Sequence, residues 1–180
     1  MWGGISESMK ESITIPNTSN NTTTSPTYSN QTDFSEVHGD EFGNNACAAT
    51  SLLNEISEQY TEETGTALTQ AQVSQAMSAA VDSGNISSTN AFVNDWEGAA
   101  NDMAGSVGLA GDYSYTNNST EADVTIYALE TNNQPGADHF VSDVGNGQYY
   151  DPLTGQIGNM ADVTLSTDGL GETRDLNYSN

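Results

Sequence analysis

Positive charge is almost absent from this chain. Lys10 and Arg174 are its only Lys or Arg residues, against 25 Asp and Glu, and the formal net charge is -23. A field of that sign repels phosphate backbones and anionic membrane surfaces, so ordinary nucleic-acid binding is excluded. The imbalance comes from missing cations rather than crowded anions: the charged fraction is 15%, below the usual ~25%. With so few cations, salt bridges contribute little. The plain meaning of the charge is solubility. The sharper alternative is a nucleic-acid mimic that binds basic protein surfaces, but the acids are scattered rather than laid out in a dense regular array.

Cysteine is nearly absent too. One Cys cannot form an intrachain disulfide, which removes the disulfide-stapled secreted folds. No run of ~18 apolar residues exists, so no membrane-spanning helix and no membrane insertion is expected. Residues 1–10 lack an apolar h-region, so no ordinary signal peptide is visible; export would need another route, or this is a segment of a longer polypeptide. There are two histidines. His38 lies beside Asp40 and Glu41, but without a second His this is poor transition-metal spacing. Neither a metal nor a cofactor is expected.

What is present falls into two parts. Residues 1–27 read as a flexible tail or linker, because 17–25 are almost wholly Asn, Ser and Thr and cannot offset ordering entropy by burial. Residues 28–180 read as one domain. Helical spacing is predicted over 46–60, with Ala49, Leu52, Leu53, Ile56 and Tyr60 on one face. A second helix starts at Thr69, which forms a capping-box pattern with Gln72. A third is predicted over 90–104, with Phe92, Val93, Trp96, Ala100 and Met103 at helical spacing and Trp96 in the core. The period then changes to two. Strands are predicted over 107–115, 123–130, 139–144 and 148–151, with one more near Val163 and a loop over 131–138. Asn146-Gly147 is a two-residue hairpin signal. Helices first and an antiparallel sheet afterwards make an α+β domain.

The single cysteine stands where a nucleophile would. Cys47 falls in the first turn of its predicted helix, where unpaired N–H groups and the helix dipole favour a thiolate. A lone Cys among alanines is also a common small core residue. His139 heads an apolar strand, which holds a ring rigidly as a general base requires. Asp151 lies across the Asn146-Gly147 hairpin, near His139 or just beyond its end, where a carboxylate could orient the imidazole. Asp151-Pro152 would equally serve as a turn start. The backbone N–H of Cys47 and the side chain of Gln31 are the candidate oxyanion donors.

Taken in order, Asn30-Gln31-Thr32-Asp33, Phe42-Gly43-Asn44-Asn45-Ala46-Cys47-Ala48-Ala49-Thr50-Ser51-Leu52-Leu53, His139-Phe140-Val141 and Tyr150-Asp151-Pro152 resemble the papain-like cysteine peptidases. The branch they look most like is the bacteriocin-leader-processing peptidases and their stand-alone relatives. The resemblance spans about 28–155. It implies a papain-like fold with N-terminal helices packed on an antiparallel sheet. It implies Cys47 as nucleophile, His139 as base, Asp151 as orienter and Gln31 as oxyanion-hole residue. Two positions depart from the family pattern: Ala48 replaces the usual Gly after the Cys, and Asp138 replaces a small residue before the His.

The expected function is therefore a cysteine-dependent hydrolase that cleaves a peptide or amide bond through an acyl-enzyme. Its substrate would be a polypeptide or peptide, basic or neutral rather than acidic. By analogy it could be a secreted or delivered effector, with a cognate inhibitor or immunity protein as partner. Two alternatives stand beside it. One keeps the fold as an inactive binding module; the other is an acidic inhibitor or mimic acting through surface charge.

Overall fold

The computed structural model describes residues 24–116, 119, 121–131, 138–167 and 171–180. Most of the expected tail, 1–23, and the middle of the expected loop, 132–137, lie outside the described residues. Five helices precede a six-stranded sheet. A 3-10 turn, Gln31–Phe34, runs into two short helices, α1 (Ser35–His38) and α2 (Asp40–Asn45). The long helices are α3 (Cys47–Thr64), α4 (Gln70–Asp82) and α5 (Trp96–Val107). The strands are β1 (Asp112–Thr116), β2 (Val124–Leu129), β3 (His139–Asp143), β4 (Gln148–Asp151), β5 (Gln156–Asn159) and β6 (Thr173–Ser179). The architecture is α+β, with every strand pairing antiparallel, in the order β1-β6-β2-β3-β4-β5.

Local chemistry sets the helix ends. At α4 the Thr69 side chain accepts from Gln72 N–H while Gln72 Oε1 accepts from Thr69 N–H, the reciprocal cap expected from the sequence. Asp95 caps α5 by accepting from Gly98 N–H at 3.0 Å. Gly65 and Gly108 end α3 and α5 in left-handed conformation, which glycine adopts without steric penalty.

α3 is the central element. It packs on β3, and also against β2, β4, α4 and α5. Residues 48–57 are buried without interruption, so this stretch of the helix is enclosed on all sides, while its last turn, 62–64, is exposed. Its buried polar side chains need partners. Asn54 Oδ1 accepts from Ser29 N–H at 2.8 Å, Asn54 Nδ2 donates to Ser29 O at 3.2 Å, and Ser57 Oγ accepts from Thr27 N–H at 3.1 Å. These bonds lay the segment 27–29 along the helix and tie Thr27 down.

Several sequence expectations change. The third helix begins at Trp96 rather than near residue 90, because Asp95 caps it and Ala91 has φ +56°. Val107 closes α5 instead of opening a strand, and β1 starts only at Asp112. Near Val163 there is a 3-10 turn, Met160–Asp162, and an isolated bridge from Leu165 to Leu129. β5 and β6 were not anticipated.

The β3–β4 hairpin positions the site. Asn146 and Gly147 have φ of +57° and +72°, and Gln148 N–H donates to Gly145 O at 3.0 Å, as a type I′ turn requires. The register pairs Ser142 with Tyr150. Continued, it sets Asp151 opposite Val141, on the same sheet face as His139 and one pleat repeat away.

A second glycine is fixed by close approach. Gly155 has φ +68°, and a Cβ there would lie 2.8 Å from Asn30 Oδ1, the acceptor of the Tyr150 hydroxyl. Gly155→Ala is expected to lower stability by about 1–3 kcal/mol in urea unfolding. Unchanged stability would show that Asn30 moves aside freely.

Candidate active site

Cys47, His139 and Gln31 line one cleft of about 880 Å³. Cys47 opens α3, at the end of the helix where N–H groups lack intrahelical acceptors. It is half-buried, and its thiol lies 4.0 Å from the Asn45 carbonyl oxygen. His139 opens β3 and is buried. Its Nε2 lies 2.7 Å from Asp151 Oδ1, and Cys47 is near enough to act electrostatically on the ring. Because Asp151 takes Nε2, the proton there leaves Nδ1 for the sulfur.

Asp151 closes β4, and its carboxylate does two things. Oδ1 also accepts from Leu153 N–H at 2.8 Å, and Oδ2 accepts from Thr154 Oγ1 at 2.9 Å. Asp151 thus both starts the turn and bonds the imidazole of His139. Gln31 N–H donates to Pro152 O at 2.8 Å, so the 3-10 turn is bonded to the residue after Asp151. The Gln31 side chain is 3% exposed. Nε2 donates one hydrogen to Asn44 O at 2.9 Å, which leaves its second, and Oε1 is buried without a partner.

Burial alone would lower the His139 pKa, but the Asp151 hydrogen bond and the influence of nearby Cys47 outweigh it and push the pKa up to about 9. Burial acts on Asp151 in the raising direction, yet bonds from His139, Leu153 N–H and Thr154 bring it down to about 2. The signs follow by linkage. The stability that His139 adds is full below about 6.5 and is lost as pH rises through about 9. The stability that Asp151 adds is full above about 3.8 and is lost as pH falls toward about 2. A charged His–Asp pair is therefore intact across neutral pH.

The two departures from the family pattern can be placed. Ala48 is buried and also lines the cleft. Asp138 lines the cleft, but its Oδ1 accepts from Thr131 N–H and Oγ1, each at 2.8 Å, while His139 Nε2 is engaged by Asp151. His38 stacks on Phe42 at 4.7 Å and lies outside the cleft lining. Among the described residues no group of three or more His, Cys, Asp or Glu could hold a metal ion. Nor is any described helix long and apolar enough to cross a membrane.

Sequence reasoning missed part of the cleft wall. Phe92 and Leu153 line it, and Trp96 lines it while packing at 6.0 Å from Phe140. Trp96 therefore belongs to both the core margin and the cleft. Asp95 as an N-cap was the signal that could have moved Phe92 out of the predicted helix. Comparison with protein-family models, with curated proteins and with solved structures finds no match to this chain.

Proposed function

We propose that this chain is a papain-like cysteine hydrolase acting on a peptide or amide bond. The observation that carries the reading is the His139 ring, held on Asp151 at 2.7 Å and lining one cleft with Cys47. The chain order Gln, Cys, His, Asp, with the Cys opening a helix packed on the strand that carries the His, agrees with it.

The reaction would begin with Cys47 as thiolate and His139 as imidazolium. Sulfur attacks the substrate carbonyl carbon and the carbonyl π electrons move to oxygen. The free Nε2 hydrogen of Gln31 and the Cys47 N–H stabilise that oxyanion. The tetrahedral species collapses, the C–N bond breaks, and His139 gives its proton to the leaving amine. Water then attacks the thioester; His139 takes its proton, and the acid product and Cys47 are released. The surroundings suit a basic or neutral polypeptide substrate, and an effector role with a cognate inhibitor belongs to the same proposal.

The test is alkylation of Cys47 by iodoacetamide between pH 5 and 9, in the parent and in His139→Ala. A parent rate well above that of the variant near neutral pH supports the pair. Slow and equal rates in both proteins would overturn it and leave the binding-module reading.

A further inference from the structure

The cleft wall at 90–94 holds a large apolar side chain outside the core. Ala91 has φ +56° although it carries a Cβ, a conformation that costs an L-residue about 1–2 kcal/mol. Its methyl is fully buried, while Phe92, next along the chain, is 67% exposed and lines the cleft. The hydrophobic effect favours the reverse arrangement. The loop is nevertheless firmly held. Ile86 bridges to Val93, Ser87 N–H donates to Phe92 O at 2.9 Å, and Ala91 N–H donates to Ser87 O at 3.0 Å. Strain at a ligand-facing loop is where a functional role is to be sought.

Leu153 is the second exposed apolar side chain of the cleft. It is 57% exposed, and its backbone N–H is fixed on Asp151 Oδ1 at 2.8 Å. Charge in the lining is also uneven. Glu41 and Asp138 are exposed carboxylates. Arg174 is 5% exposed; its guanidinium lies over Phe140 at 5.7 Å and donates to the carbonyls of Gly171 and Thr173. An approaching ligand meets apolar surface and negative charge.

We propose that Phe92 and Leu153 are specificity-determining residues, gripping an apolar side chain of a polypeptide whose neighbouring residues are basic. This rests on the cysteine-hydrolase reading. The apolar grip supplies discrimination, and the field of a chain with net charge -23 supplies steering of the basic segment.

The probe is a series of tripeptidyl chloromethyl ketones on an alanine frame. Leu occupies each position in turn, and the N-terminus carries two Lys or two Glu residues. Cys47 sulfur displaces chloride: the C–S bond forms as C–Cl breaks. Each rate is divided by the iodoacetamide rate of the same protein. At one Leu position the ratio should exceed that of the all-Ala peptide by about tenfold. Phe92→Ala should abolish that gain and Phe92→Leu should restore most of it. Lys-capped peptides should outrun Glu-capped ones at low salt, and the two should converge near about 0.5 M salt. No Leu gain at any position, a gain that survives Phe92→Ala, or equal rates for the two caps at low salt would overturn the proposal. Iodoacetamide rates that do not depend on His139 would instead sink the hydrolase reading itself, so the two failures are distinguishable.

Discussion

Asp151→Asn is expected to slow alkylation of Cys47 at pH 6 by about tenfold while leaving the protein folded. Asparagine can still accept from Leu153 N–H through its oxygen, so the turn after β4 survives. That same oxygen still accepts from His139 Nε2, so the tautomer is kept, but it is neutral where the carboxylate was charged. The imidazolium loses its counter-charge and with it much of its hold on the second proton. The same variant removes the leading raising influence on His139, whose pKa the parent holds at about 9. Proton NMR of the two imidazoles checks this: one resonance titrating near 9 in the parent should move down by more than a unit in the variant. A His139 titration unchanged by the substitution would show that Asp151 serves the turn alone.

Glu55→Gln is expected to make the fold more resistant to urea at pH 8, with little change at pH 4. Glu55 lies in the enclosed stretch of α3, 5% exposed, and its Oε1 has no hydrogen-bond partner. Burial pushes its carboxyl well above the usual range, and the carboxylates of Glu58 and Asp143 push it further. Glu58 is also raised by burial and is bonded to the Tyr28 hydroxyl, while Tyr127 reaches Asp143 Oδ2 at 3.4 Å. The side chains facing Glu55 from α3, β3, β2 and the N-terminal segment are thus acids or phenols, and only a backbone N–H bond at Asp143 favours its charged form.

A carboxyl with a raised folded pKa binds its proton more tightly in the native state. It therefore contributes most below its unfolded pKa, and stability falls as pH rises. Between the unfolded and folded values the margin of the Gln variant widens by about 1.4 kcal/mol per pH unit. Unfolding midpoints at pH 4, 6 and 8 measure it, and parallel pH curves for the two proteins would refute it.

The parts of this fold that announce themselves in sequence are those set by neighbouring residues. Thr69 with Gln72 marks the start of α4, and Asn146-Gly147 marks the hairpin that brings Asp151 toward His139. Cys47 was placed within the first turn of its helix because small residues give way there to an apolar period. What was not legible depends on distant chain. The spacing of Phe92, Val93 and Trp96 imitates a helix, but the Asp95 cap, the positive φ of Ala91 and the bridge from Ile86 to Val93 keep the first two out of it. β5 is an edge strand whose residues are mostly exposed, so it lacks alternation. β6 carries Arg174 and Asp175, whose charges read as surface although both are buried. Asp175 Oδ2 accepts from Ser119 N–H at 2.7 Å, a partner that no local pattern reveals.

The place of β6 bears on how the molecule comes into being during synthesis. β6 follows every other strand in the chain, yet it lies between β1 and β2. Until it is made, β1 has no partner in the sheet and the wall that carries Arg174 is missing from the cleft. Cys47, His139 and Asp151 all leave the ribosome earlier, but onto a sheet still open in its middle. Non-local pairing of this kind is slow to form. A nascent chain that already carries Cys47, His139 and Asp151 thus lacks the finished cleft, and the newly made protein carries its thiol past its own synthetic machinery before the groove around that thiol is closed.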